Sequence, residues 1–430
     1  MASRPMAAVD RIVVDRTPWA TRVAFLASGE VVELWVDAAD RPSLVGAIAL
    51  GRVTAVHSGL AAATVSIPGG EAFLVDRAVV EGERLVVQVV HDGIGPKRPV
   101  ARTGVELSEG PVVLTPRMPG VGLSSSVRGK ARRAGLKAAL SAVVPDEVGL
   151  LVRAGGADRA ADALVADAGR LLERWRAILN RADAADRPAW LEPPVPVIEA
   201  ACRVAPGVEP EIDDSGRLFE ACGAAEALAL ALARRVELPD GGELVIDPVE
   251  AGTLIDVNLP SGGGREGFRR ANEIAALSAL RQLRLRGIRG VVLLDLPRMT
   301  DGQARARITT LVTEMAAADT AKVHILGWTP GGMLELVREG VRRPLADDLL
   351  EPPAEPRLSP RAAAWAALTG LRREVARIAR PRLVLAPVVA GWLDGPGRPI
   401  LEAERHRLGH LTVAADPTLA RDAFRVESED

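Results

Sequence analysis

Asp256 and Asn258 close the apolar run "TLIDVNLP", and Asp295 closes a second run, "VVLLDLPRM". Residues two apart on a strand share a face, so the first run presents a carboxylate and an amide side by side. Ligands of layered α/β folds sit at the carboxyl ends of strands, where all three residues fall. If the two strands are neighbours, the carboxylates repel, and one tends to hold its proton unless a divalent cation neutralises the pair. Mg2+ needs few protein ligands, often one or two carboxylates plus water and substrate phosphate. Bound there, it would polarise a phosphoryl oxygen and activate water, with Asn258 holding a phosphate oxygen or a water. The competing reading makes each strand-end Asp a turn former or the N-cap of the next helix. Glu250 and His324 also lie near strand ends, and His324, inside "KVHILG", reads as a core or edge residue. There is no HExxH, Walker loop or Ser-His-Asp spacing. "PSGGGREG" (260–267) reads as a substrate-side loop rather than a nucleotide cradle.

The elements that must position these groups follow from periodicity. From residue 216 the order is helix (216–235), strand (243–247), strand (252–258), helix (268–286), strand (290–295), helix (302–318) and strand (322–327), which is the alternation of a layered α/β domain. Residues 8–36 alternate apolar and polar as three antiparallel strands, and residues 45–108 continue as the short, Gly-punctuated strands of a small barrel. Such barrels bind single-stranded nucleic acid by stacking bases on aromatics beside a basic groove, and Phe73 and Lys97 suit that surface. Phe73 also reads as a core residue. Residues 158–181 are amphipathic, with Leu164, Leu171, Leu172, Trp175 and Leu179 on one stripe. Pro-rich text at 187–196 and 351–360 reads as two linkers. Ser359 and Pro360 then open a helix with Trp365, Leu368, Val375 and Ile378 on its stripe. Strands at 382–388 and 409–414 complete a small α+β tail.

The 430 residues suggest two to four domains, and 48% hydrophobic residues suffice for real cores. Net charge is −2, but residues 111–145 hold six basic residues and no acid, and 265–298 hold eight arginines. Local basic zones on a near-neutral protein fit a polyanion groove, against the plainer reading of solvated helix faces. Cys202 and Cys222 form neither a disulfide framework nor a CxxC zinc pair, which fits a reducing compartment. No stretch approaches a membrane span, and the N-terminus lacks a signal-peptide core, so the expected location is the cytoplasm.

Longer motifs carry a resemblance. "LPDGGELVIDPVEAGTLIDVN", "ANEIAALSALRQLRLRGIRGVVLLDLPRM" and "GGMLELVREGV", preceded by "GRVTAVHSGLAAATVSIPGGEAFL", "VGLLVRAG" and "PVPVIEAA", resemble the ribonuclease E/G family of bacterial endoribonucleases along nearly the whole chain. The resemblance implies a multidomain α/β and α+β chain. An S1-like OB barrel (43–110) is inserted in a split RNase H-like region (1–42 and 187–235). A 5′-end sensor-like region (111–186), a deoxyribonuclease-I-like catalytic domain (236–350) and a linker with a small C-terminal domain (351–430) follow. It makes Asp256 and Asp295 Mg2+ ligands, with Mn2+ as a substitute, and Asn258 a third catalytic residue. The implied reaction is cleavage of single-stranded RNA, leaving 5′-phosphate and 3′-hydroxyl ends, in RNA processing or decay. Arg153, the Val113 backbone and Lys322 correspond to groups that sense a 5′-monophosphate. Departures from the family pattern are Ala154 for a threonine, Thr64 for one of two stacking phenylalanines, a shortened loop after Asn258, and Arg298 for an acid. The CxxC zinc link is absent, so neither structural zinc nor a zinc-linked tetramer is expected, and a homodimer is left open. The alternatives are a catalytically weak or inactive RNA-binding relative and a metal phosphoesterase for small substrates.

Overall fold

The computed structural model describes residues 8–260, 264–297, 299–351, 357–375, 378 and 380–429, without the Arg265 side chain. Arg298, part of the loop after Asn258 and half of the second Pro-rich stretch therefore lie outside the described residues. The chain divides into two units, Met1–Glu351 and Pro352–Asp430.

Alternating apolar residues build the N-terminal meander Arg11–Arg16, Ala20–Ala27 and Glu30–Ala38, with a fourth strand, Pro210–Asp213, parallel to the first. Both faces are buried. Val13, Leu34 and Val36 pack with Phe219 and Ala224 on one side, and Ile12, Val14 and Phe25 pack with Val197 and Ala201 on the other. The helix expected over 216–235 is broken by Gly223, whose φ of 75° suits glycine. It becomes Arg217–Ala221 and Ala224–Leu232, followed by the strand Arg235–Glu237.

Five strands close a barrel: Ile48–His57, Ala62–Ile67, Gly70–Leu74, Val100–Arg102 and Arg84–His91, the last pairing back onto the first. At Gly51 a Cβ would lie 2.4 Å from Val65 Cγ1, so only glycine permits that close strand contact. The stretch expected as a linker at 187–196 instead contributes the strand Ala189–Glu192 to the barrel's edge. Pro188 and Pro193 flank this strand rather than interrupt it, so neither removes a ladder donor from its interior. Next come the strands Leu107–Glu109, Val112–Thr115, Gly120–Leu123 and Gly149–Val152, one sheet packed with the helices Lys130–Ser141 and Ala161–Ala184. The long helix buries Leu164, Leu171, Leu172 and Ile178. Leu179, expected on that stripe, is exposed because the helical period carries the buried face to Ile178.

The large sheet runs Arg235–Glu237, Glu243–Val249, Gly252–Asn258, Gly290–Asp295, Leu334–Arg338 and Val323–Trp328 in spatial order. Its penultimate strand, Leu334–Arg338, was not anticipated. It inserts antiparallel between Gly290–Asp295 and the edge strand, burying Leu334, Leu336 and Arg338. The helices Gly264–Arg286 and Gly302–Ala316 pack on one face, over Ile246, Ile255, Val257, Val292 and Leu294. Leu254, Asp256, Asn258, Val291 and Asp295, on the opposite face, are exposed.

The second unit has its own core. Pro381–Leu385 lies between Thr412–Ala415, parallel, and Phe424–Ser428, antiparallel. The helices Pro360–Glu374, Pro387–Asp394 and Arg398–Leu408 cover them. Ser359 accepts the Ala362 amide at 3.2 Å, as an N-cap should. Trp365 is exposed, and Ala363, Ala364, Ala367 and Leu371 share the buried stripe with Leu368 instead. Residues 387 and 388, expected at a strand end, open a helix, since Pro387 sits at its first turn. Among the described residues, no helix is long and apolar enough to cross a membrane.

Candidate active site

The strand Gly252–Asn258 alternates buried Thr253, Ile255 and Val257 with exposed Leu254, Asp256 and Asn258. The buried set faces the helices, and Asp256 and Asn258 lie with Leu254 on the open face. The next strand is joined through the helix Gly264–Arg286, a crossover that returns the chain parallel. In the resulting register Asp256 pairs with Asp295, so two carboxylates stand on adjacent strands, about 4.8 Å apart along the ladder, on one face. Among the described residues Asp295 caps no helix. The cap of the following helix is Asp301, which accepts the Gln303 amide at 3.0 Å and pairs with Arg269.

Asn258 Nδ2 donates to Asp256 Oδ2 at 3.2 Å and, more weakly, to Glu243 Oε1 at 3.4 Å. Glu243 is Asn258's cross-strand partner and is ion-paired with Arg235. Asp295 has no hydrogen-bond or ion-pair partner among the described residues. The loop leaving Asp295 is held from beneath, where the buried Asn272 donates Nδ2 to the Pro297 carbonyl at 3.1 Å. Glu243 and Asn272 escaped the sequence reading. Alternation within "GGELVID" would have placed Glu243 on the face of Asp247, but nothing in sequence aims Asn272 at Pro297.

The donor chemistry fits a hard cation. Two unopposed carboxylates and an amide supply oxygen ligands, and Mg2+ asks for few from protein. No cluster of three His, Cys, Asp or Glu side chains able to hold a metal occurs among the described residues, so the arrangement does not resemble an all-protein cage.

The arginine-rich helix does not supply the polyanion groove read from its charge. It packs on the opposite face, and its basic residues serve different ends. Arg269 and Arg270 lie near the carboxylate end of the sheet, paired with Asp301 and Asp240. Arg284 is about 22 Å further along the helix axis. It is 1% exposed and ion-paired with Glu33 at 3.2 Å. Burial pushes the Arg286 guanidinium down to about 10. Arg289 donates to the carbonyls of Gly340 and Asp92. These three are internal struts, not a groove. In the other basic zone, Arg132 and Arg133 are likewise spent on carbonyls of Ala157, Arg159, Ser124 and Val127. Arg117, Arg128, Lys130 and Lys137 are exposed.

On the barrel, Phe73 is half-buried on the outer face opposite Thr64, and His57 stacks beside it. Lys97 Nζ donates to the Glu250 carbonyl at 2.9 Å, tying the barrel to the turn that opens the strand of Asp256. Val113 is buried in an interior strand with ladder partners, Leu151 and Ser108, on both sides. Arg153, at the exit of the strand Gly149–Val152, is exposed, and its guanidinium stands 3.9 Å from Glu106. Lys322 is exposed just before the edge strand of the large sheet, near Glu339. No hydrogen bond or ion pair joins Lys322 to Arg153 among the described residues. His324, on the edge strand, pairs with Glu339 at 2.7 Å.

The sequence that builds this site has relatives among known proteins. The chain belongs to the Ribonuclease E/G family, whose model matches residues 107–205 and 198–341, more than half of it. It is 26% identical over 396 residues to ribonuclease G of Salmonella typhimurium (strain SL1344), covering 77% of this chain and 80% of that protein. With ribonuclease G of Haemophilus influenzae it shares 27% over 397 residues, 78% of this chain and 80% of the relative. With ribonuclease E of Nostoc sp. (strain PCC 7120) it shares 28% over 350 residues, 69% of this chain and 51% of the relative. The chain is thus an endoribonuclease of the ribonuclease E/G type, with a role in RNA processing.

Proposed function

We propose that this protein is a Mg2+-dependent endoribonuclease that cleaves single-stranded RNA and leaves 5′-phosphate and 3′-hydroxyl ends. The observation that carries this reading is the register of Asp256 with Asp295 on the open face of the large sheet. Asp256 and Asp295 would hold the metal, which when bound supplies charge neutralisation, phosphoryl polarisation and a more acidic water. Asn258 orients the Asp256 carboxylate through its amide NH2, and its amide oxygen is left to accept a hydrogen bond from water or from the substrate. Asn272 fixes the loop behind Asp295, and the open face admits a chain of any sequence, as cleavage of unpaired RNA requires.

On this reading the chain has the family's domain layout. The split RNase H-like region corresponds to the N-terminal meander joined by the strand Pro210–Asp213. The S1-like domain corresponds to the closed barrel, and the deoxyribonuclease-I-like catalytic domain to the large sheet. Within the sensor set, Arg153 offers an exposed charge, Lys322 a second, and Val113 only backbone. The protein would act in the cytoplasm on single-stranded RNA, without structural zinc. The test is incubation of 5′-monophosphorylated single-stranded RNA with wild type and Asp256→Asn, in Mg2+ or EDTA. Cleavage confined to wild type with Mg2+, with RNA still bound by the variant, is expected. Cutting that survives EDTA, or the substitution, would exclude the carboxylate pair as the centre.

A further inference from the structure

The open face of the large sheet turns aliphatic directly beside the carboxylates. Behind the row of Asp256 and Asp295, the next row of the ladder on that face runs Asp247, Leu254, Leu293 and Glu335, each the direct partner of the one before. It lies two residues back along the strands, about 7 Å from the carboxylates. The row beyond it holds Val249, Gly252, Val291 and Val337. Leu254, Val249 and Val291 are exposed, and Leu293 and Val337 are half-buried. None of the five belongs to the core under the helices. The solvent face of a sheet is ordinarily polar, so a bare aliphatic strip marks a contact surface. Its place names the occupant. The strip leads from the carboxylates back to the turn at Glu250, where Lys97 of the barrel is fixed. RNA that reaches Asp256 and Asp295 from the barrel passes over it.

Two carboxylates bound the first row. Asp247 is engaged by Arg234 through both oxygens. Glu335 is not engaged: among the described residues it has neither a hydrogen-bond nor an ion-pair partner. Its partner on the far side is Gly327, which has no side chain to cover it. Glu335 is a diagonal neighbour of Asp295, yet no cluster of three acids able to hold a metal forms among the described residues. A carboxylate left bare on the path of a polyanion costs affinity unless it accepts a hydrogen bond from the ligand.

We infer that Leu254 and Leu293 form a shelf for the base next to the scissile phosphate, on its barrel side, and that Glu335 reads the edge of that base. The identity of the ligand as RNA rests on the cleavage proposed above; the shelf and its free carboxylate rest on the sheet register. Aliphatic side chains cover the flat face of any base. A carboxylate can only accept. Adenine, guanine and cytosine offer it an exocyclic amine, whereas uracil carries a carbonyl on each side of its one N–H. Glu335 therefore favours an amine-bearing base over uracil. The face still takes every sequence, and Glu335 ranks the bases at one position of it.

The test is cleavage of a single-stranded RNA with a randomised block in Mg2+, with the new ends sequenced. Then kcat and KM are measured on four RNAs that differ only at the discriminating position. Wild type should disfavour uracil about tenfold in kcat/KM at one position beside the cut. Glu335→Gln, whose amide both donates and accepts, should bring that ratio within about twofold. Leu254→Ala should raise KM about fivefold for all four bases and keep their ranking. Both side chains lie outside the core, and thermal unfolding confirms that each variant is folded. A uracil penalty that persists in Glu335→Gln, or is absent from wild type, overturns the role of Glu335. An unchanged KM in Leu254→Ala overturns the shelf. Asp256→Asn and EDTA run alongside separate the two ideas. If cutting survives either, the carboxylate centre falls and the base ranking is still judged by Glu335→Gln. If cutting needs Asp256 and Mg2+ but Glu335→Gln keeps the ranking, the reading of Glu335 alone falls. A wild type that cuts no RNA removes both.

Discussion

Asp256 and Asp295 are direct partners on adjacent parallel strands, with both side chains on the face that the helices leave open. Like charges set opposite one another in a sheet destabilise it by about 0.2–1 kcal/mol. No Lys or Arg is ion-paired with either among the described residues. Asp295→Asn is therefore expected to raise stability by about 0.2–1 kcal/mol in EDTA, because it removes the repulsion. In Mg2+ the order should reverse, since ligand binding stabilises only the protein that can bind. Urea denaturation of both proteins in the two buffers checks this, and RNA cleavage by the variant should fall to background. A variant less stable than wild type in EDTA would mean that Asp295 is a structural group.

The buried pair Glu33–Arg284 yields a second prediction. Glu33 takes Arg284 at 3.2 Å, Thr320 Oγ1 at 2.6 Å and Trp35 Nε1 at 2.8 Å, and joins the N-terminal meander to the long helix of the large sheet. Glu33→Ala leaves a guanidinium buried without its carboxylate, which should cost about 3–5 kcal/mol. Chemical denaturation measures that loss. Affinity for RNA and its salt dependence should be unchanged in the folded variant, because Arg284 is sealed from solvent. A change in the salt slope would return Arg284 to the groove.

The carboxylates were legible in sequence because apolar runs ending in acid announce strand ends, and a single helix between two strands implies parallel neighbours. Which residue opposes which was not legible, since register depends on how the crossover helix seats on the sheet. Arg284 and Arg270 look alike in the string. One is buried and the other exposed because Glu33, far away in sequence, comes to lie against only one of them. Leu334–Arg338 was invisible as a strand because five residues carry too little alternation to stand out from a loop. Glu335 was passed over with it, because a residue has no face until its strand is recognised.

His91 gives a pH dependence. Its ring donates Nδ1–H to the Gly340 carbonyl at 3.0 Å, holding the end of a barrel strand to the segment after Leu334–Arg338. Burial lowers its pKa below the ordinary 6.5, with Arg289 and Arg102 acting in the same direction, against the Gly340 hydrogen bond and Asp92. The folded protein thus binds a proton less readily than the unfolded chain. Stability from this group is complete above the unfolded pKa and is lost as pH falls through about 6.5 toward the lower folded value. Wild type should lose stability between about pH 7 and pH 5, and His91→Gln should show a flatter profile. Denaturation midpoints across that range are the measurement, and parallel profiles would remove His91 as the cause.

Lys97 sits where barrel and catalytic sheet meet. Its ammonium gives one hydrogen bond to the Glu250 carbonyl, at the turn before the strand Gly252–Asn258, and an ammonium carries three donors. Asp256 lies four residues along the strand from Gly252, where it leaves this turn, about 13 Å away. A single strand crossing from the barrel to the carboxylates therefore starts near a positive charge already fixed in place. If the remaining donors of Lys97 meet an RNA phosphate, Lys97→Ala should lower the slope of log affinity against log salt by about 0.7, the value for one contact to single-stranded nucleic acid. Lys97→Arg should restore the slope, because charge, not the Glu250 bond, sets counterion release. Binding titrations over a series of KCl concentrations decide it. If affinity drops in Lys97→Ala at every salt concentration with the slope unchanged, the residue only pins the barrel to the sheet and touches no phosphate.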